Sequence, residues 1–167
     1  LCHIFRVATG KDIEEYAVRH LFSPIGIQQY FWKRIPSGLA DTEGGLYLRK
    51  EDLAKIFYLF LMNGSWEGRQ IVQSEWVMAS VAPSVTVVPK SVMYGLKWWL
   101  YTYGTDSTHV AWAGSGFGGQ VPIAVPQYDI VMVFTGWNIL PDKPHLGGRT
   151  ALDRVLRAVV NGRALRQ

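Results

Sequence analysis

Apolar side chains recur at helical spacing along much of the chain. The clearest set follows the i, i+3, i+4, i+7, i+8 pattern and comprises Leu53, Ile56, Phe57, Phe60 and Leu61. Glu51 and Asp52 stand where the first turn would be, and Asn63-Gly64 follows where a C-terminal cap belongs. The stretch therefore predicts an amphipathic helix that ends near Asn63.

Other stretches predict shorter or later helices. Residues 13–21 are apolar at intervals of three and four, after the start signal Thr9-Gly10-Lys11-Asp12 and before Pro24. Between that helix and residue 45, prolines and glycines predict a long irregular connection. A short helix is expected from Ser74 and ends before Pro83. A C-terminal helix is predicted by one apolar stripe, formed by Leu152, Val155, Leu156, Val159 and Val160.

From residue 94 the periodicity becomes that of strands. Aromatic and β-branched runs, separated by Gly, Asp, Ser and Pro, predict strands at residues 94–101, 109–113, 120–125 and 128–135. Because alternate strand residues face opposite sides, Trp98 and Trp99 are expected on opposite faces. Short connections between the last three strands predict an antiparallel meander with the C-terminal helix across it.

The expected fold class is therefore α+β, an antiparallel sheet flanked by helices. Residues 1–92 would hold helices and irregular connections. Residues 93–167 would hold the strands and the closing helix, and the whole would form one incomplete structural unit.

Composition excludes several classes of function. The chain has 167 residues, 49% of them hydrophobic, and a formal net charge of +4. Its C-terminal arginines, at positions 149, 154, 157, 163 and 166, fit a solvated helix face better than a nucleic-acid surface. Cys2 is the single cysteine, so no internal disulfide or cysteine-based zinc site forms. The longest apolar run in a helical stretch is far shorter than the roughly 20 residues of a membrane span.

The stretch "WAGSGFGGQ", residues 112–120, contains Gly114-x-Gly116-x-x-Gly119, the glycine spacing of a dinucleotide-binding turn. Such a turn needs a helix directly behind it, whose free N–H groups hold the phosphate. Prolines at 122 and 126 and an apolar strand-like run follow instead. The context disfavours a nucleotide site, and the glycines need another explanation.

The chain resembles the serine β-lactamase and penicillin-binding protein superfamily, in its class C and esterase branch. The resemblance is carried, in order, by "DTEGGLYLRKEDLAKIFYLFLMNGSWEGRQIVQSEWV", "YGLKWWL", "WAGSGFGGQ" and "DIVMVFTG". It covers nearly the whole chain, from about Thr9 to about Leu156, laid on the later part of such an enzyme. It implies a partial β-lactamase/transpeptidase-like fold and no metal or organic cofactor.

The resemblance also implies the positions of a site. The triplet that lines the family's site from a strand edge falls on Trp112-Ala113-Gly114. Ser115 would give its backbone N–H to the oxyanion hole, and small residues such as Gly116 would let substrate lie against the strand edge. Trp112 stands where the family has a lysine, so uncharged esters are favoured over substrates with a carboxylate.

Two family motifs are absent from these 167 residues. No serine is followed by lysine three places later, and no tyrosine by asparagine two places later. The chain also opens "LCHIFRVATG", without Met or a signal-peptide profile, so it is expected to be a fragment. The nucleophile is expected in a missing N-terminal part, without which the chain would be inactive.

The function expected from the resemblance is a serine hydrolase that cleaves ester or amide bonds through an acyl-enzyme. Its partners would be that N-terminal part and an ester, a β-lactam or a peptidoglycan-like substrate, with no nucleic acid. The alternative is a non-catalytic domain that binds peptidoglycan or acyl ligands. A periplasmic or secreted location is implied only by the resemblance.

Several residues keep two interpretations at this stage. Trp112 is either a substrate-facing ring or a core residue, and Ser115 either an oxyanion donor or a plain turn serine. His109 is a proton carrier or, more simply, a surface residue. Glu43 is a wall of the cleft or an exposed loop carboxylate. Asn63-Gly64-Ser65 is a glycosylation acceptor or a helix stop signal.

Overall fold

The computed structural model describes residues 1–104, 108–136 and 147–164. The chain divides into two compact units, Leu1–Gln73 and Ser74–Gln167. The glycine-rich stretch identified in the sequence lies in the second unit. The first unit contributes the helices and two small hairpins described next.

The first unit opens with two short helices. Helix α1 spans Cys2–Thr9 and ends at Gly10, whose φ is 70°. Sequence patterning does not predict α1, because no side chain caps its N-terminus. Helix α2 spans Ile13–Ala17, and the Asp12 carboxylate caps it by accepting from the amides of Glu14 and Glu15. The helical path continues as a π-helical turn at Val18–Phe22, so the helix predicted over 13–21 is confirmed.

The connection predicted to be irregular contains a strand. Strand β1, Tyr30–Trp32, pairs antiparallel with β2, Leu46–Leu48. Helix α3 spans Lys50–Leu61, as the apolar spacing predicts, and a small hairpin follows it, formed by β3, Ser65–Trp66, and β4, Arg69–Gln70. This unit closes around a buried cluster of Phe22, Ile25, Ile27 and Leu59.

A partly buried ion pair fixes α3 in the first unit. Asp52 is buried, and its Oδ1 lies 2.7 Å from Nζ of Lys55, one helical turn away. The same ammonium donates to the carbonyl of Gly26 at 2.8 Å. A charge that is taken out of water must be compensated in this way, so the pair ties α3 to the segment after the π-helical turn.

The second unit begins with α4, Ser74–Ser80, and is built on one antiparallel sheet. Its strands are β5, Val85–Val88; β6, Val92–Tyr94; β7, Trp99–Tyr103; β8, His109–Ala113; β9, Gln120–Val125; and β10, Ile130–Thr135. Their order, β10-β9-β8-β7-β6-β5, follows the chain. The antiparallel meander is confirmed, and β5 and β6 extend it beyond the predicted strands.

The single strand predicted over residues 94–101 is wrong. Strand β6 ends at Tyr94 and β7 begins at Trp99, and the chain turns between them. The amide of Gly95 donates to the carbonyl of Trp98 at 2.9 Å, and Lys97 has a φ of 71°. Trp98 therefore lies outside the strand, and the expected strand alternation with Trp99 does not apply. Trp99 packs against the core of the sheet.

Helix α5, Gly148–Ala164, lies on one face of this sheet. Ala151 and Leu152 are fully buried in a core shared with β7, β8 and β9, and Leu156 packs against it. The side chain of Val160, which the stripe also contained, lies outside the described residues. Sequence patterning therefore located both the helix and the face that it buries.

The C-terminal arginines do not all face solvent. Arg154 and Arg157 are exposed, as expected for a solvated face. Arg149 instead donates to the carbonyl of Thr102 at 2.6 Å and to that of Ser91 at 3.3 Å, which ties the first turn of α5 to the sheet. The side chains of Arg163 and Arg166 lie outside the described residues. None of the helices in the described part is long and apolar enough to span a membrane.

Candidate functional site

The candidate site lies where β8 leaves the sheet and turns back as β9. Trp112 is paired with Leu100 on β7 and with Ala124 on β9, and it is half-buried. Ala113 is fully buried in the core beneath α5. Because successive strand residues face opposite sides, Trp112 lies on the sheet face opposite to that core.

Beyond Ala113, the residues of β8 continue to pair with β9 at alternate positions. The amide of Gly114 donates to the carbonyl of Pro122 at 3.0 Å, and that of Gly116 donates to the carbonyl of Gln120 at 2.8 Å. In an antiparallel ladder the residue between two such positions turns its N–H and C=O to the other side. Ser115 is that residue, so its N–H is directed towards the side on which β7 lies.

Strand β7 does not extend far enough to accept this N–H. The last paired position is Trp99 opposite Ala113, so a continued ladder would set Lys97 opposite Ser115. Lys97 has a left-handed φ of 71°, and its amide donates to the carbonyl of Gly95 at 2.9 Å. The chain has therefore turned away, and the Ser115 N–H has no hydrogen-bond acceptor among the described residues.

The carbonyl that shares this peptide unit is also unpaired in the sheet. It belongs to Gly114 and is directed towards Pro122 of β9, which has no N–H to donate. Proline is rare inside a central strand because it removes a ladder hydrogen bond. Within the part of the chain that the structure describes, the 114–115 peptide therefore has both its donor and its acceptor unused by the sheet.

The turn that follows is held by backbone hydrogen bonds. Gly119 donates to the carbonyl of Gly116 at 3.2 Å, and Gly136 donates to the carbonyl of Gly119 at 3.1 Å. Gly118 and Gly119 have φ values of 92° and 93°, which side-chain-bearing residues rarely adopt. The glycines serve a tight strand-to-strand turn, which agrees with the expectation that no phosphate-binding helix start follows them.

Side chains leave the Ser115 region open. Ser115 and Gly116 are exposed, and Phe117 is 87% exposed. The Gln120 side chain is directed inwards, and its amide donates to the carbonyl of Gly136 at 3.1 Å. The strand end is therefore accessible, and the Ser115 N–H is an unpaired main-chain donor there among the described residues.

His109 lies away from this arrangement, and Glu43 belongs to the other compact unit. His109 begins β8, six residues from Ser115, which corresponds to about 20 Å along a strand. Its ring packs at 5.5 Å from that of Tyr103. Glu43 belongs to the first unit, where it is exposed and its amide donates to the Asp41 carboxylate at 3.1 Å.

Tyr103 is the most perturbed titratable side chain of the sheet. Its hydroxyl is buried and has no hydrogen-bond partner among the described residues. Burial, reinforced by the nearby Tyr128, raises the pKa of Tyr103 to about 12. Its neighbour His109 stands at the end of β8 away from Ser115, so this hydroxyl is not part of the candidate site.

Sequence reasoning proposed Trp112, Ser115 and the glycines as site residues, which stays a prediction, but it missed the two residues that leave the N–H and the C=O of the 114–115 peptide unpaired in the sheet. These are Lys97, which turns β7 away, and Pro122, which cannot donate to Gly114. A proline within an apolar strand-like run was the available signal for the second. No sequence signal marked the turn at Lys97, because residues 94–101 have the composition of one continuous strand.

No family model and no curated protein matches the chain. Several solved structures are similar to it. One is a protein from Bacteroides dorei DSM 17855 assigned as a beta-lactamase, at 18% identity and a TM-score of 0.61, covering 81% of this chain and 47% of the other. A penicillin-binding protein from Bacillus halodurans gives 15% identity, a TM-score of 0.59, and coverage of 92% and 52%.

A penicillin-binding protein homologue from Caulobacter crescentus gives 16% identity and a TM-score of 0.54, covering 75% of this chain and 47% of the other. At these identities the comparisons show the fold, which is a partial α+β fold of the β-lactamase and penicillin-binding protein type. The chain spans about half the length of each of these proteins.

Proposed function

We propose that this chain, whose fold is that of β-lactamases and penicillin-binding proteins, forms part of a serine hydrolase that cleaves ester or amide bonds through an acyl-enzyme. The observation that supports it most directly is the Ser115 N–H, exposed at a strand end and unpaired among the described residues. Such a donor suits the negative oxygen that forms when a carbonyl is attacked.

The reaction would proceed in two halves. A serine hydroxyl attacks the substrate carbonyl and gives its proton to a nearby base, and the carbonyl oxygen becomes an oxyanion that the Ser115 N–H stabilises. Collapse expels the alcohol or amine, which takes up a proton, and leaves an acyl-enzyme that water then hydrolyses. One oxyanion donor typically accounts for a rate factor of about 100 or more.

The nucleophile of this proposal lies outside the printed sequence. Neither a Ser-x-x-Lys nor a Tyr-x-Asn sequence occurs in the 167 residues. The chain also spans only 47% to 52% of the structures that share its fold. Both observations support a longer polypeptide in which this chain forms the later part, and in which the present residues alone would be inactive.

The residue at position 112 supports ester substrates. Trp112 lies half-buried on the face opposite to the α5 core and carries no charge. A β-lactam or a D-alanyl peptide carries a carboxylate, which a cation would attract and an indole does not. The proposed activity is therefore ester or broad acyl hydrolysis, as in the esterases of this superfamily, rather than efficient β-lactam turnover.

A second candidate function is binding without catalysis. Neither Ser-x-x-Lys nor Tyr-x-Asn occurs in these 167 residues, which is also compatible with a fold that keeps a pocket for peptidoglycan-like or acyl ligands without the catalytic serine. The two functions predict different upstream residues and different reactions with a covalent probe.

The test begins with the reading frame upstream of Leu1. If it encodes Ser-x-x-Lys and Tyr-x-Asn, the full-length protein should be labelled by a fluorophosphonate and should hydrolyse a chromogenic short-chain ester faster than a chromogenic cephalosporin. Replacing the upstream serine by alanine is the control and should abolish labelling. A protein that carries the serine but is neither labelled nor active would refute the hydrolase and leave ligand binding as the remaining function.

A further inference from the structure

Phe117 is the most exposed large apolar side chain among the described residues, at 87%. It stands at the tip of the turn between β8 and β9, flanked by Gly116 and Gly118. A phenyl ring left in water forgoes the favourable free energy of burying its apolar surface. An isolated exposed apolar residue needs no explanation by itself, so its position must carry the argument.

Hydrogen bonds hold the backbone around Phe117 in one conformation. The amide of Gly116 donates a hydrogen bond to the carbonyl of Gln120 at 2.8 Å, and the amide of Gly119 donates to the carbonyl of Gly116 at 3.2 Å. A Cβ at Gly116 would lie 2.8 Å from Oε1 of Gln120, so the turn is also closely packed there. The aromatic residue is therefore presented from a preorganised support, which reduces the entropy lost on binding a ligand.

Phe117 is close to the candidate oxyanion donor. Only Gly116 separates it from Ser115, so their Cα atoms are at most about 7 Å apart. Residues 112–120 carry no charged side chain, and their two large apolar side chains are the half-buried Trp112 and the exposed Phe117. An uncharged carbonyl compound bound to that amide would place its flanking hydrocarbon within reach of the ring.

We propose that Phe117 is a specificity-determining residue that packs against the apolar acyl chain of the substrate and makes the site prefer medium-chain or aryl acyl groups over acetyl groups. The inference rests on the proposed function of the same site, in that the carbonyl is held by the Ser115 N–H. It assigns a substrate class, apolar acyl esters, and a residue that selects it.

The test compares Phe117→Ala with Phe117→Leu, with Trp76→Ala as the matched control. Trp76 lies on α4, and its side chain is 54% exposed. Calorimetry measures binding of the 4-nitroanilides of acetic and hexanoic acid, which need no nucleophile. Phe117→Ala should weaken hexanoyl binding about tenfold and acetyl binding less than twofold. Phe117→Leu should retain most of the preference, and Trp76→Ala all of it.

Hydrolysis of the matching nitrophenyl esters by the full-length protein gives the second measurement. Phe117→Ala should raise KM for the hexanoate about tenfold and leave kcat nearly unchanged, because packing against the acyl chain is equal in the ground and transition states. The melting temperature should not change, since the ring is exposed in the fold.

The outcomes separate the two proposals. Binding that depends on Phe117 in a protein without esterase activity would refute the hydrolase and support the acyl-selecting role. Hydrolysis with an unchanged chain-length preference in Phe117→Ala would support the hydrolase and overturn the role of Phe117. Failure of the wild-type protein to bind either anilide would also overturn the proposed role of Phe117. A large fall in melting temperature for Phe117→Ala would show that polypeptide covers the ring, and would likewise overturn it.

Discussion

The unpaired amide of Ser115 can be tested by changing one backbone atom. Replacing Ser115 by its α-hydroxy acid analogue converts the N–H into an ester oxygen and leaves the side chain in place. The same change at Gly114 is the matched control, because its N–H donates to the carbonyl of Pro122 at 3.0 Å. The two changes are one residue apart and of the same chemical kind, and they differ in what the lost N–H contacts and in which carbonyl, that of Gly114 or that of Ala113, is weakened.

The structure sets different magnitudes for the two changes. The Ser115 N–H has no acceptor among the described residues, and the Gly114 carbonyl, which the ester would weaken, has no donor there. The free energy of unfolding should therefore change by less than about 0.5 kcal/mol. At Gly114 the change removes a hydrogen bond and sets two oxygens against each other, which should cost about 1–2 kcal/mol.

Urea denaturation followed by tryptophan fluorescence measures both values. In a full-length hydrolase, the Ser115 ester should also lower kcat about 100-fold or more, because the oxyanion loses its donor. If the Ser115 ester destabilises the protein as much as the Gly114 ester does, the amide is bonded in the fold and the reasoning fails. If kcat is unchanged while the Gly114 control behaves as expected, the amide is free but is not an oxyanion donor.

Two further predictions concern stability. A Cβ at Gly64, φ 83°, would collide with the carbonyl oxygen of Val72, whereas a Cβ at Gly10, φ 70°, would meet no atom within 4 Å. Gly64→Ala should therefore cost about 3 kcal/mol and Gly10→Ala about 1 kcal/mol in urea denaturation; equal losses would contradict the packing at Gly64. Tyr103→Phe should raise stability by up to about 1 kcal/mol, because the buried hydroxyl has no partner among the described residues. The pKa of Tyr103 is raised from 10.0 to about 12 in the fold, so between these pH values the unfolded chain binds fewer protons and the free energy of unfolding falls as pH rises. Tyr103→Phe removes this titration and should flatten the fall in the urea midpoint between pH 9 and 12. An unchanged slope would refute the assignment.

The elements that sequence reasoning located well are those whose own residues decide them. The apolar stripe beginning at Leu53 is long enough to specify α3, and β8 and β9 are bounded by the residues that alternation predicted, His109–Ala113 and Gln120–Val125. In each case hydrophobic period and flanking turn residues agree, so local preference and tertiary packing point to the same element.

The elements that were missed or wrong are those that depend on contacts between distant residues. Strand β1 is a three-residue segment in a turn-rich stretch, and it forms because β2 pairs with it 16 residues later. The break at Gly95–Trp98 reads as continuous strand, yet Leu96 is held by the carbonyl of Ser80 at 2.9 Å instead of by a neighbouring strand. Periodicity does not contain that information.

For the site, the sequence determined which residues are small, uncharged and rich in glycine at the end of β8, and its resemblance to a known superfamily attached an oxyanion role to Ser115. The role itself stays a prediction. Whether the Ser115 N–H is unpaired among the described residues was decided by register: β9 engages Gly114 and Gly116, so the Ser115 N–H is directed towards β7, and β7 turns away at Lys97. A backbone donor becomes available through what its neighbouring strands do, and that depends on pairing between segments that only the folded chain brings side by side.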